Sequence, residues 1–234
     1  ANETITLTDP PDLSGVLTVS QSVSCFGVLD GEITFTVNNV NTGTPGYSYS
    51  IDGGGTFQTS NTFTGLQGSI TYSVTVKDAN NCEFSASVLL PEPSEIVFST
   101  SSSSFSSFGV SCNGATDGEI IIFGVSGGVP TYNYSIDGGA NYSATMTYNA
   151  PLNPIGVGTY VVVVRDNSTP SCTSEVTVTI TEPPLFTIAA TVTSDVSCYG
   201  ICDGAVHVTP TNGVGLITYN MTSFLSQTSL DWYN

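Results

Sequence analysis

The chain has 234 residues and a formal charge of -17, with 2 basic residues against 19 acidic ones. That balance excludes a nucleic-acid binder, which needs Lys and Arg to neutralise phosphates, and works against docking on an anionic bilayer. No apolar run approaches the roughly 20 residues of a membrane-spanning helix, and the single histidine, His207, leaves no inventory for Ser/His/Asp or Cys/His catalysis in most of the chain.

Taken in chain order, residues 1–10 read as the last strand of a preceding repeat, because AsnGluThrIleThrLeuThrAspProPro resembles ThrValThrIleThrGluProPro at Thr177 to Pro184. Strands are then expected near Leu17 and over Glu32 to Val37, Tyr47 to Ile51, Thr56 to Phe63, Tyr72 to Lys77 and Phe84 to Leu90. In these segments Ile33, Phe35 and Val37 alternate with Thr34 and Thr36, and Tyr47, Tyr49 and Ile51 alternate with Ser48 and Ser50. Period-2 alternation of β-branched and aromatic residues is the signal of a half-buried strand. AspGlyGly at Asp52 and AspGly at Asp30 are expected to form turns in which glycine supplies a positive φ. No segment sustains the i, i+3, i+4, i+7 apolar spacing of a helix.

The same text then returns. SerCysPheGlyValLeuAspGly at Ser24 to Gly31 becomes SerCysAsnGlyAlaThrAspGly at Ser111 to Gly118 and SerCysTyrGlyIleCysAspGly at Ser197 to Gly204. The spacing is 87 positions from Cys25 to Cys112 and 86 from Cys112 to Cys198, the period of a small β-domain rather than of a solenoid turn. TyrSerTyrSerIleAspGlyGly (Tyr47 to Gly54) returns as TyrAsnTyrSerIleAspGlyGly (Tyr132 to Gly139), and TyrSerValThrValLysAsp (Tyr72 to Asp78) as TyrValValValValArgAsp (Tyr160 to Asp166). Acid-proline joints at Asp9-Pro10, Glu92-Pro93 and Glu182-Pro183 divide the chain into residues 1–10, complete repeats at 11–93 and 94–183, and the N-terminal part of a further repeat at 184–234. The second repeat carries a Ser-rich insertion around Ser101 to Ser107 and a longer loop with Pro151 and Pro154. The expected fold is all-β: tandem immunoglobulin-like antiparallel β-sandwich domains in a linear array.

Each complete repeat holds two cysteines, and the expected disulfides lie within repeats, Cys25 with Cys82 and Cys112 with Cys172, where they would reinforce a thin core. Cys198 then awaits a partner beyond Asn234, and Cys202 has no counterpart in the other copies. Long spacings and a lone histidine argue against zinc. Lys77 and Arg165 occupy one repeat position on an outward strand face, where each is a candidate for an ion pair with a recurring carboxylate such as Glu32 or Glu119. Acidic turns at Asp30, Asp52, Asp78, Asp117, Asp137 and Asp166 are candidate calcium ligands, since hard cations take oxygen donors. Each also has a local use as a turn former, and the expectation is no cofactor, with calcium as the alternative. His207 is placed on an outward position equivalent to Thr34, and Tyr47, Tyr49, Tyr132 and Tyr134 are read as core rather than as a sugar platform. No catalytic constellation emerges, and the chain is read as a non-enzyme.

The ordered set Ser-Cys-x-Gly-x-x-Asp-Gly, Pro-x-Tyr-x-Tyr-Ser-Ile-Asp-Gly-Gly and Tyr-x-Val-x-Val-(Lys/Arg)-Asp followed by Cys resembles the SprB-type repeat of very large surface adhesins of Bacteroidetes. The resemblance implies export by a type IX secretion system, display at the extracellular surface, and work in attachment or gliding. It departs from the pattern in the third copy, where Ala205 replaces Glu32 and Cys202 is extra. The expected role is a stalk or filament segment whose partners are neighbouring repeats and, in a fibre, other copies; the alternative is a module binding a glycan or protein target through its loops or calcium-organised turns.

Overall fold

The computed structural model describes residue 5 and residues 12–38 and 43–220. The expected strand of a preceding repeat at residues 1–10, and the Asp9-Pro10 joint, lie outside the described residues except for Ile5. Among the described residues all regular structure is β, in antiparallel sheets that pack as sandwiches. The first repeat supplies β1 (Gly15–Gln21), β2 (Gly31–Val37), β3 (Ser48–Ser50), β4 (Thr62–Leu66), β5 (Ile70–Lys77) and β6 (Glu83–Leu90). They form two three-stranded sheets, ordered β1-β2-β4 and β3-β5-β6. The second repeat supplies β7 (Val97–Ser102), β8 (Ile120–Ser126), β9 (Asn133–Ser135), β10 (Thr147–Tyr148), β11 (Gly158–Arg165) and β12 (Thr173–Ile180). Their sheets, β10-β8-β7 and β12-β11-β9, repeat the first pattern strand for strand. The third copy contributes β13 (Thr187–Ser194) and β14 (Ala205–Thr211), paired as β1 is with β2.

The chain gathers into two compact units. One comprises Ala1–Ser99, Gly124–Ala144 and Val162–Val176; the other comprises Thr100–Phe123, Thr145–Val161 and Thr177–Asn234. In the first unit, Ile33 and Phe35 from β2 and Val74 and Val76 from β5 are fully buried, joined by Leu17, Val23, Tyr49, Phe63 and Leu90. Along β2 and β5 the inward residues Ile33, Phe35, Val74 and Val76 sit at every second position, as the pleat requires. In the second unit, Val110, Ile120, Ile122 and Ile155 are buried to the same degree. His207 is exposed, and faces Thr191 across the strand pair as Thr34 faces Thr18.

Two local expectations are corrected. The strand expected over Thr56 to Phe63 begins only at Thr62. Before it, Thr56 N–H and Oγ1–H donate to Asp52, and Gln58 Nε2 donates to the Ser60 and Thr62 carbonyls. Those side-chain bonds give the backbone a turn in place of a ladder. In the AspGly pairs, Gly31 and Gly118 do not adopt positive φ, whereas Gly27, Gly114 and Gly200 within the same motif do. Gly31 instead opens β2, where a Cβ would stand 2.9 Å from the Leu66 carbonyl oxygen and 2.5 Å from Leu90 Cδ2. The need there is close approach rather than a left-handed turn.

Candidate functional site

In every copy the Ser-Cys-x-Gly-x-x-Asp-Gly segment closes on itself as a rigid loop. The aspartate at its end accepts the N–H of the serine at its start: Asp30 from Ser24 at 2.9 Å, Asp117 from Ser111 at 3.1 Å and Asp203 from Ser197 at 2.8 Å. Inside, the cysteine carbonyl accepts an N–H three residues on, at 3.1 Å in each of the pairs Cys25 with Val28, Cys112 with Ala115 and Cys198 with Ile201. The joint glutamate completes the frame, because Gly27 N–H donates to Glu92 Oε1 at 2.8 Å and Gly114 N–H to Glu182 Oε2 at 2.7 Å. The acid of the acid-proline joint is thus a lock on the cysteine loop, a role that punctuation alone did not suggest.

A second frame presents the other cysteine. After β5 the carboxylate of Asp78 accepts N–H groups from Thr44 (2.9 Å), Asn80 (2.9 Å) and Cys82 (2.8 Å), while Asp78 N–H donates to the Cys82 carbonyl at 3.0 Å. After β11 the carboxylate of Asp166 accepts from Val129 (2.8 Å), Ser168 (3.1 Å) and Cys172 (2.8 Å), and its own N–H donates to the Cys172 carbonyl at 3.0 Å. Asp78 and Asp166 are 5% and 2% exposed. An ionised carboxylate can occupy such a place only because several donors meet it.

The disulfide links the two kinds of frame, and it does so across repeats. Cys25 is bonded to Cys172, a sequence separation of 147, while Cys82 and Cys112 are exposed thiols. The expected pairs Cys25 with Cys82 and Cys112 with Cys172 are therefore wrong. Strand length gives the reason. Glu92, just past the end of β6, holds the Cys25 loop, whereas Cys82 stands immediately before β6 begins. Eight strand residues at about 3.3 Å each put these cysteines roughly 25 Å apart, against a Cα separation of no more than about 7 Å that a disulfide tolerates. Cys172 is taken by Cys25, so it is not available to Cys112.

The cations follow a different pattern from the one expected. Lys77 pairs with Glu83 at 3.1 Å, its direct cross-strand neighbour, rather than with Glu32, and its ammonium lies 4.4 Å from the centre of the Phe57 ring. Arg165 stacks over Tyr142 at 3.9 Å, and Glu119 accepts instead from Asn149. The alternation placed Lys77 on the outer face but could not show which residue the hairpin sets opposite it. At an exposed site the ion pair contributes about 0.2–1 kcal/mol.

The six acidic turns do not converge. Asp52 accepts from Ser50 Oγ, Thr56 N–H and Thr56 Oγ1, and Asp137 from Ser135 Oγ, Asn141 N–H and Asn141 Nδ2. Among the described residues no three His, Cys, Asp or Glu side chains are grouped to hold a metal ion. Bonds from Ser50 first, then from Thr56, hold Asp52 far below the usual carboxylate range, and the Ser135 bond with those of Asn141 lowers Asp137 to about 2. Asp30, Asp117 and Asp203 are lowered chiefly by their serine bonds, and Asp78 by the Thr44 N–H. For Asp166 burial pushes upward, and the bonds from Ser168, Val129 and Cys172 outweigh it.

A carboxylate lowered in the folded state stabilises fully above its unfolded value near 4 and loses that contribution as pH falls through the folded value. The Tm difference between the parent chain and Asp137→Asn is therefore expected to be constant above pH ~4.5 and to shrink toward pH ~2. A difference that grew on acidification would contradict the assignment.

Among known proteins, the SprB repeat family matches residues 109–141, which supports a SprB-type repeat there. No curated protein matches the chain. Among solved structures it is similar to the three N-terminal domains of the bacteriophage RB49 highly immunogenic outer capsid protein (Hoc), 18% identical over 85% of this chain and 69% of that one, with a TM-score of 0.37. It is also similar to extracellular cadherin domains 1–4 of protocadherin gamma B7, 16% identical over 71% of this chain and 49% of that one, with a TM-score of 0.24.

Proposed function

We propose that this chain, which carries a SprB-type repeat, is a load-bearing spacer segment of an extracellular surface adhesin. Its repeats would stand in series with boundaries near residues 11–93, 94–183 and 184–234. The observation that carries the reading is the Cys25–Cys172 bond, which ties the loop of one repeat to the turn of the next. A bond within each sandwich would strengthen domains one at a time; a bond between repeats resists their separation. Disulfides persist outside the reducing cytosol, which fits display at the surface of a cell. The acidic outer faces, at a formal charge of -17, would keep neighbouring stalks apart. Export by a type IX system and service in gliding or attachment follow from the family resemblance.

X-ray scattering and a binding screen test this together. A single globule of 234 residues has a radius of gyration of about 17 Å, and repeats in series are expected to exceed that clearly. Glycan arrays and pulldowns are expected to give no robust, loop-dependent binding. A radius near the globular value removes the serial arrangement, whereas strong binding abolished by changes in the loops around Ser101 to Ser107 or Pro151 to Pro154 makes the chain a recognition module. If a chelator lowered Tm or abolished such binding, calcium would enter the mechanism.

A further inference from the structure

We propose that the cleft beside Cys112 is a second clip site, built to receive an aspartate-framed cysteine turn from a further repeat and to close on it through a Cys112 disulfide. The first clip joins a Ser-Cys-x-Gly loop to the turn that follows the (Lys/Arg)-Asp strand one repeat later. Both frames recur around exposed thiols. Cys112 stands in the loop locked by Asp117 and Glu182, as Cys25 does in the loop locked by Asp30 and Glu92. Cys82 stands on the Asp78 turn with the bond lengths that Cys172 has on the Asp166 turn.

The walls of the two clefts supply an independent observation. The space beside Cys25 is about 140 Å³, bounded by Ser94, Glu95 and Ile96 from the joint and closed by Cys172, Thr173 and Ser174. In repeat register the joint residues become Pro184, Leu185 and Phe186. These line the space beside Cys112, which is wider, about 410 Å³, and bounded on its other side by Asn212 to Thr218. It is apolar where the joint passes and large enough for the tip of a turn.

The chain beside each cleft is held by local hydrogen bonds. In the second repeat Gly127 holds a φ of 86°, Gly128 N–H donates to the Ser94 carbonyl at 2.9 Å, and Val129 N–H donates to Asp166 at 2.8 Å. In the third copy Asn212, on the wall of the Cys112 space, holds a φ of 62°, and its Nδ2 donates to the Leu185 carbonyl at 3.2 Å. Asn is among the few side chains that tolerate this left-handed region. Val214 lines the same wall, so an incoming turn would offer its aspartate to the Val214 N–H and its cysteine to Cys112.

Closure proceeds by exchange with a small-molecule disulfide oxidant. The Cys112 thiol loses its proton and attacks the oxidant, forming a mixed disulfide and releasing one thiol. The thiolate of the turn then attacks the Cys112 sulfur and expels the second thiol. Two protein thiols and one oxidant disulfide become one protein disulfide and two small thiols.

The test uses the 234-residue chain with its Cys25–Cys172 bond intact, in a glutathione redox buffer. The probe is a peptide of the sequence Tyr160 to Val176, compared with a scrambled peptide of the same composition. Mapping by mass spectrometry is expected to find the probe on Cys112 at least about 10-fold above Cys82 and above the scrambled control, with Val214→Pro reducing capture to the control level. Capture spread equally over Cys82 and Cys112, or equal to the scrambled peptide, overturns the proposal. Because a short peptide is a poor mimic of a folded turn, a second arm raises the concentration of the chain alone. Bonds between copies are expected to join Cys112 to Cys82 in preference to Cys82 to Cys82 or Cys112 to Cys112, and a statistical mixture overturns the proposal equally. The inference rests on the serial reading only for the source of the turn, so a globular scattering radius would remove that reading and leave the capture result standing.

Discussion

Stretched between its termini, the oxidised chain is expected to unfold to a contour length about 50 nm shorter than that of the reduced chain or of Cys172→Ser. The bond at Cys25 and Cys172 closes a loop with a sequence separation of 147, and an extended residue spans at most about 3.3–3.6 Å. Tension entering at the N-terminus crosses from Cys25 to Cys172 through sulfur, and β2 to β11 lie inside the protected loop. Among the described strands, β1 and β12 to β14 lie on the loaded path, so peeling of β1 from β2 and of β12 from β11 should produce the early events. Without the bond the whole chain becomes extensible. The chain-entropy model gives the closed loop a stabilisation of about 5 kcal/mol, so Cys172→Ser should also lower the denaturant midpoint at equilibrium. Single-molecule force spectroscopy in the two redox states reads the length directly. Equal contour lengths would show that the bond is not on the force path, and two separate protected loops of about 20 nm each would restore pairing within repeats.

What could be read from the sequence was what depends on neighbours along the chain. Alternation over Glu32 to Val37 assigned Ile33 and Phe35 to the interior, and both are fully buried. The recurrence of three motifs announced two copies of one strand order, and the sheets repeat accordingly. Alternation failed where a side chain folds back on its own turn. Ser50 and Ser135 read as outward, yet each is 1% exposed, because its hydroxyl donates to the aspartate two residues on and accepts the N–H of Gly54 or Gly139. The SerIleAspGlyGly string common to both repeats carried that signal, since a Ser-x-Asp-Gly-Gly turn can satisfy its polar groups internally. The disulfide was hidden for a geometric reason. Counting places two cysteines in each repeat, and only the direction of β6 shows that Cys25 and Cys82 lie at opposite ends of a sandwich. The partner of a cysteine at one end is then set by the next repeat, which no local pattern encodes.

Phe35→Ala is expected to destabilise the first sandwich by about 3–5 kcal/mol, the largest effect of any single side-chain truncation proposed for it. The ring is fully buried on β2 of one sheet and meets the other, with centroids 5.9 Å from Tyr49 on β3 and 6.2 Å from Phe84 on β6, the latter edge-on. Aromatic pairs of this kind add about 0.5–1.5 kcal/mol each beyond the area they bury. The strand opposite carries Gly15, where a Cβ would stand 2.3 Å from the Phe35 ring but also 2.7 Å from the Thr36 carbonyl oxygen. The glycine exists to admit the ring, and the backbone behind it blocks collapse, so the cavity term of the penalty should persist. In the second repeat the same position is Ile122, buried but smaller, and Ile122→Ala should cost about 2–5 kcal/mol. Thr34→Ala, on the opposite face of β2, should stay within about 1 kcal/mol, the loss of its hydroxyl contacts with Ser20 and Thr62 at the surface. Urea titrations of the three variants, read at unchanged slope, separate these expectations. If Phe35→Ala cost no more than Thr34→Ala, the two sheets would not share a core through that ring.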